Sequence, residues 1–286
     1  MRKAYSGRWK GRFGAVLSGV AVIAFCLGSA ARAQVLRYTF DEASSGTTPA
    51  LDSGSGTPAP GTFTGGAIRT ANTPGASAGA LDLTANGGVG TWVSPGDINK
   101  IDSLTSMTVL MWVNLRGTPS NTTSLASDVS ALPPPAGQGG WYFAIGGPPA
   151  NCGIAMEIWD STHGSGQSSV YPLNADHRWV MVAATFDGTT TAMTLYAGTR
   201  NSSMASQGGP SVVGPGLLPN TAPFIVGDMN ATLPAWIDDV RIYDRALSLG
   251  ELEAVRAATA PEPAGGLLIA GAFATLFAAR RRGSKR

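Results

Sequence analysis

The stretch Glu157-Ile158-Trp159-Asp160 invites comparison with the acid pair of a glycoside hydrolase. Such an enzyme needs two carboxylates on one strand face, a general acid and a nucleophile, roughly 5 Å apart when configuration is retained. Positions 157 and 160 differ by an odd number, so in a regular strand the two acids point to opposite faces. Glu157 therefore reads as an isolated acid. Histidine chemistry is equally thin. His163 lies in the turn-like Asp160-Ser161-Thr162-His163-Gly164 and His177 follows Asp176, with no second histidine beside either. Neither a zinc site nor a Cys/His dyad is suggested.

Sugar binding asks for aromatic rings that stack on the apolar faces of pyranosides, with amides and carboxylates to orient them. Trp92, Trp112, Trp141, Tyr142, Trp159, Trp179 and Trp236 supply the rings. Tryptophan on a sandwich strand is more often core than platform, and Trp112, Trp179 and Trp236 are assigned to the core. Trp141 with its neighbour Tyr142, and Trp159, are flanked by glycine-rich loops and form the candidate exposed platform.

Near the end of the chain two acids interrupt an apolar run, Trp236-Ile237-Asp238-Asp239-Val240-Arg241-Ile242-Tyr243. In a regular strand Trp236, Asp238, Val240, Ile242 and Asp244 share one face, and Ile237, Asp239, Arg241 and Tyr243 the other. Burying a lone carboxylate is costly, so Asp238 or Asp239 needs a partner, either an arginine such as Arg241 or a bound cation.

The elements that must position these residues are strands. Gly, Ser, Thr, Pro and Ala dominate between apolar stretches, and helical periodicity is nearly absent. Strands are expected at 35–40, 80–83, 91–93, 107–115, 141–145, 153–159, 179–186, 192–197, 223–226 and 236–243. Turn clusters such as Ser53-Gly54-Ser55-Gly56 and Asp187-Gly188 separate several of them. Many short strands, and one longer strand apolar on both faces, suit an all-β, two-sheet antiparallel sandwich. Only 248–257 reads as a helix, with Ser248 and Glu251 as a capping box and Leu249, Leu252 and Val255 on one stripe.

Both ends read as addresses. Arg2, Lys3, Arg8, Lys10 and Arg12 precede an uncharged apolar run, 13–28, and Ala31-Arg32-Ala33 offers small residues for signal-peptidase cleavage after Ala33. At the other end, after a linker of 258–260, Pro261-Glu262-Pro263 leads into an apolar run, 264–279, near the lower limit for a transmembrane helix, then Arg280, Arg281, Arg282, Lys285 and Arg286. That order resembles the PEP-CTERM sorting signal. The resemblance implies an exosortase-type membrane transpeptidase as partner and a location at the cell envelope or surface, or in the extracellular matrix. The expected organisation is a signal peptide at 1–33, one domain at 34–257, and linker plus sorting signal at 258–286.

The formal net charge of +2 belongs mostly to these ends. Between Gln34 and Ala260 stand nine basic and seventeen acidic residues, a net of −8. That argues against nucleic acid, whose phosphates demand a basic surface. With Cys26 in the leader, Cys152 is alone and reads as a buried, inert thiol.

A family resemblance runs through the middle. Leu36-Arg37-Tyr38-Thr39-Phe40-Asp41-Glu42 with Asp52-Ser53-Gly54-Ser55-Gly56, the paired runs 179–188 and 195–198, and above all Ile237 to Ser248 with Glu251-Leu252 resemble the LamG-like jellyroll domains of the concanavalin A-like lectin/glucanase fold. The resemblance implies a structural calcium ion held near one end of the sandwich by Asp41, Asp52, Asp238 and Asp239. It also brings in laminarinase-like glycoside hydrolases, which share the fold. The expectation is a non-catalytic carbohydrate- or matrix-binding module, with a glycoside hydrolase or a purely structural surface protein as alternatives.

Overall fold

The computed structural model describes residues 34–260, apart from 43–45, 47, 76, 103, 121, 130–138, 160–163, 169–172, 209–210, 213–216 and 218. The expected signal peptide, sorting motif and C-terminal apolar helix lie outside the described residues, as do Asp160 and His163. No helix among the described residues is long and apolar enough to cross a membrane.

In chain order the strands are β1 (Gln34–Tyr38), β2 (Thr62–Thr64), β3 (Ile68–Thr70), β4 (Ala80–Asp82), β5 (Val89–Gly96), β6 (Met107–Leu115), β7 (Thr123–Asp128) and β8 (Gly140–Gly146). Then come β9 (Gly153–Trp159), β10 (Gly164–Ser168), β11 (Val180–Asp187), β12 (Ala192–Thr199), β13 (Ala205–Ser206), β14 (Ser211–Val212), β15 (Phe224–Thr232) and β16 (Ala235–Tyr243). Two helices accompany them, α1 (Asn99–Asp102) and α2 (Leu249–Thr259). The strands form two antiparallel sheets. One runs β13-β12-β11-β6-β16-β4-β3, with β1 also on β16 and β14 on β12; the other runs β10-β9-β8-β7-β15-β5-β2.

β6 shows how composition dictates placement. All nine of its residues are buried. Val109, Met111 and Val113 enter the main core together with residues of the opposite sheet such as Phe143, Met156 and Phe224. Leu110 and Trp112 point the other way, into a second cluster with Trp179, Met181, Leu252 and Val255. That second cluster exists because α2 lies over the outer face of the first sheet. The Ser248 capping box starts α2, and the Trp112 indole N–H donates to Thr259 Oγ1 at 2.9 Å near its end. Leu252 and Val255 are buried, each side chain worth roughly 1.5–3 kcal/mol on full burial. Leu249, expected on the same stripe, is instead 44% exposed in the first turn.

β16 departs from the expected alternation. Ile237, Val240 and Ile242 all face the main core, although 237 and 240 have opposite parity. The cause is a β-bulge. Register against β6 slips between Asp238 and Arg241, and Asp239 adopts a left-handed φ of 49°. The extra residue resets the phase of the strand and buries both aspartates, Asp238 at 0% and Asp239 at 4% exposed. Trp236, assigned to the core from sequence, is half-buried, with the Arg116 guanidinium 4.0 Å above its ring.

Candidate functional site

The aspartates expected to hold calcium fall into two places. Asp41, Asp238 and Asp239 line a cavity of about 200 Å³ with Arg37, Thr39, Ser77 and Thr259. Asp52 does not line it. Asp52 Oδ1 accepts from the backbone N–H of Arg37 and Gly54, at 3.0 and 2.8 Å, and Oδ2 from that of Ala59 and from the Lys100 ammonium. The loop can close only because residue 54 is glycine, since a Cβ there would stand 2.4 Å from the Val35 carbonyl oxygen.

The other three carboxylates are also engaged. Asp41 accepts from the backbone N–H of Ala78 and Gly79, and Asp238 from the Ser77 hydroxyl and the Asp239 N–H. Asp239 is gripped by Arg241, Nη2 to Oδ2 at 2.7 Å, and by Arg37, Nε to Oδ1 at 3.0 Å. Calcium needs six to eight oxygens free to converge on it. Here two of the four acids already hold the protein's own cations, so this donor set does not fit the ion. Among the described residues no group of three or more His, Cys, Asp or Glu side chains is placed to hold a metal. Burial, with the nearby Asp239 and Asp41 charges, pushes the Asp238 carboxyl up to about 8 despite the Ser77 hydrogen bond.

The expected platform separates by strand parity. Along β8, Trp141, Phe143 and Ile145 face the main core, and Trp141 is 1% exposed with its ring centroid 6.0 Å from that of Phe224. Its placement on an exposed platform is therefore corrected: neighbours in a strand point to opposite faces, so Trp141 and Tyr142 cannot share a surface. Tyr142 is the outward member. On β9, Ile154, Met156 and Ile158 go to the core, leaving Glu157 and Trp159 outward and half-buried.

Three outward groups thus lie together at the β8–β9 pair. Tyr142 is paired directly with Glu157, and the Trp159 indole N–H donates to Glu157 Oε2 at 3.1 Å. Tyr142 donates its hydroxyl proton to the Thr122 carbonyl at 2.8 Å. The residues paired with Trp159 on its two flanking strands are Gly140 and Gly164, and Gly166 is paired with Glu157. Glycine at these positions leaves the indole without neighbouring side chains directly across either strand. The shared parity of 157 and 159, which lets Glu157 orient Trp159, is readable in sequence. A second acid, Asp228, bears on Tyr142, whose hydroxyl pKa is raised by burial and by the Asp228 and Glu157 charges. Both Asp228 oxygens are taken: Oδ2 accepts from Ser124 N–H, Oδ1 from Asn230 and Ala231 N–H, each at 2.8 Å.

Three further features lie outside these groups. Asp97, after β5, Asp102, in α1, and Asp128, ending β7, interact with one another. Burial and the Asp128 and Asp97 neighbours push Asp102 up to about 8, and burial pushes Asp128 to about 6 against the Asn220 hydrogen bond. Cys152 is buried, its thiol pKa raised by desolvation. His177 is an exposed partner of Asp176, with Nδ1 at 2.6 Å from Oδ1.

Comparison with known proteins places this geometry. A search of curated proteins found no match. Among solved structures the chain is similar to the binding domain of botulinum neurotoxin serotype G, with TM-score 0.55 and 14% identity over 78% of this chain and 50% of that one. It is also similar to domain 4 of AbnA, an extracellular arabinanase from Geobacillus stearothermophilus solved with arabinotriose, with TM-score 0.51 and 17% identity over 79% of this chain and 98% of that one. The serotype D neurotoxin binding domain gives TM-score 0.52 at 13% identity, over 79% and 52%. This chain spans about half the length of the neurotoxin chains it matches. Similarity at these identities concerns the fold. A family model described as the concanavalin A-like lectin/glucanases superfamily matches residues 86–253, more than half of the chain. The chain therefore belongs to the concanavalin A-like lectin/glucanase superfamily.

Proposed function

We propose that the protein is an exported, non-catalytic carbohydrate-binding module of the cell surface or extracellular matrix, with a polysaccharide or glycoconjugate as ligand and an exosortase-type transpeptidase as processing partner. The observation that carries the binding half is the outward trio on β8 and β9. Trp159 is oriented by its hydrogen bond to Glu157, lies beside Tyr142, and is flanked by glycines. A ring already fixed in one orientation stacks on a pyranoside with little further ordering cost. The arabinotriose complex of the similar arabinanase domain supports the ligand class at the level of fold.

Hydrolysis fits less well. A retaining mechanism needs two available carboxylates about 5 Å apart, and the second acid that bears on Tyr142, Asp228, already accepts from three backbone N–H groups. Export and processing rest on sequence, on Ala31-Arg32-Ala33 and on Pro261-Glu262-Pro263 ahead of an apolar run and an arginine cluster.

The test is retention of the full chain on a panel of insoluble polysaccharides, with Trp159→Ala and Tyr142→Ala beside wild type. Loss of retention at unchanged melting temperature is the expected result. Unchanged retention in Trp159→Ala would show that this face is not the binding surface.

A further inference from the structure

Among the described residues, the charges that bear on Tyr142 are of one sign, and this bears on which glycans the face can take. An ionised carboxylate is an acceptor only. Glu157 receives the Trp159 N–H on Oε2, and its Oε1 has no hydrogen-bond partner among the described residues, so it is open to a donor from a ligand. The Tyr142 hydroxyl has spent its proton on the Thr122 carbonyl and can only accept. The two charged groups that bear on Tyr142 are Asp228 and Glu157, both acids. A sugar seated on Trp159 therefore meets acceptors at its rim. Hydroxyl and ammonium groups would donate to them. A carboxylate or sulfate would set acceptor against acceptor and charge against like charge, at a distance where such repulsion is strong. The net −8 between Gln34 and Ala260 adds a long-range field of the same sign.

Resting on the binding role assigned to the β8–β9 face, we infer that Glu157 is its specificity determinant: the face accepts neutral or amine-bearing pyranosides and rejects uronate-rich or sulfated polysaccharides. Glu157 acts twice, holding the indole through Oε2 and selecting donors through Oε1. An amide at position 157 would keep the first role and alter the second.

Affinity electrophoresis of the full chain through gels carrying a neutral β-glucan, chitosan or polygalacturonate separates the possibilities, with wild type, Glu157→Gln, Glu157→Lys and Trp159→Ala compared at low and at high salt. Wild type is expected to be retarded by glucan and chitosan and to run free in polygalacturonate. Glu157→Gln should keep glucan binding within about threefold and lose about tenfold on chitosan, the scale of one charge-assisted contact. Glu157→Lys should gain polygalacturonate binding that salt removes. Retardation of wild type by polygalacturonate as strong as by glucan, or an unchanged profile in both Glu157 variants, would overturn the specificity role while leaving the platform standing, provided Trp159→Ala still abolishes binding. Binding that survives Trp159→Ala, or wild type that no gel retards, would overturn the platform and this inference with it. Melting temperatures of the three variants identify any that fail to fold, and the isosteric Glu157→Gln alone suffices for the comparison of chitosan with glucan.

Discussion

Arg37 and Asp239 meet across 202 residues of sequence, the guanidinium Nε 3.0 Å from Oδ1, and so join the first strand to the bulge of the last. Arg241 grips the same carboxylate from within β16. A cation does tie the two ends of the domain together here, and it is supplied by the protein. Asp239 is 5% exposed at its side chain, Arg241 11% and Arg37 33%, so the pair with Arg241 is the more desolvated of the two. Removing one partner of a buried pair leaves the other uncompensated, at about 3–5 kcal/mol. Asp239→Ala should lower stability to urea by that order, and Arg37→Ala by about 1 kcal/mol or less because that contact is partly solvated.

The same engagement predicts the response to calcium. A ligand that binds only the folded state stabilises it by about 2.7 kcal/mol at a hundredfold excess over Kd. With Asp52 on Lys100 and Asp239 on two arginines, no such gain is expected. Melting of metal-free protein should be the same with millimolar calcium and with EDTA. An upward shift that disappears in Asp239→Asn or Asp52→Asn would restore the calcium reading.

Trp141 and Trp159 should behave as opposites. Trp141 is 1% exposed and packs on Phe224, so Trp141→Ala opens a cavity and should cost about 3–5 kcal/mol. Trp159 is half-buried on the outer face, and its truncation should cost much less in stability while abolishing retention on polysaccharide. Urea unfolding and a pull-down on the same two proteins read both effects. A Trp141→Ala variant that stays as stable as wild type would contradict the packing.

The fold was legible wherever one face of a strand carried the apolar residues. All ten expected strands exist, and β6, apolar on both faces, does separate two clusters. The capping box at Ser248 and Glu251 was readable because it is local. β7 was not foreseen. Its Thr-Ser-Leu-Ala-Ser-Asp is mostly polar yet wholly buried between β8 and β15, with some polar groups paired, as where Ser124 N–H meets Asp228, and others, Ser124 Oγ and Asp128 Oδ1, buried without a hydrogen bond among the described residues. The bulge at Asp239 was invisible for a different reason. It inserts one residue without changing composition, and only the pairing with β6 reveals it. Of the three aromatic residues expected on an exposed face, Trp159 and Tyr142 do face outward and Trp141 faces the core, since strand parity alone forbids 141 and 142 a common face. Contacts such as Arg37 on Asp239 join residues too far apart in sequence for spacing to suggest them.

Export and processing predict a mature protein shorter at both ends. Cleavage after Ala33 would leave Gln34, the first residue of β1, as the new N-terminus, and cleavage near Pro261-Glu262-Pro263 would follow α2 closely. All the core residues among the described residues lie between the two cuts, so the trimmed domain should keep its melting temperature. Intact mass of the protein recovered from outside the producing cell checks both cuts at once. Extracellular protein that still carries Met1 and Arg286 would refute the processing.

The buried carboxyl of Asp238 gives the domain a pH dependence whose sign is fixed. Its folded pKa of about 8 lies above the unfolded value near 3.9, so the folded state binds the extra proton. Stability from this group is therefore greatest below about pH 4, declines as pH rises through the interval, and levels off above about 8, at most about 1.4 kcal/mol per unit. Asp102, also pushed to about 8, and Asp128, to about 6, act in the same direction over 4–8 and 4–6. The paired acids with lowered values, Glu251 and Glu253, both near 2, work oppositely and only below about pH 4.5. Between pH 5 and 8.5 the wild type should thus lose stability steadily. Asp238→Asn, whose amide oxygen can keep the Asp239 N–H while its NH2 donates to the Ser77 hydroxyl oxygen, should flatten part of that slope and stabilise the protein at pH 8.5 relative to wild type. Urea midpoints for both proteins at several pH values measure it. A wild-type midpoint that rises from pH 5 to 8.5, or an Asp238→Asn slope parallel to wild type, would show that Asp238 is ionised in the folded state and that the cavity beside Ser77 and Arg37 holds a charge the neighbouring arginines already balance.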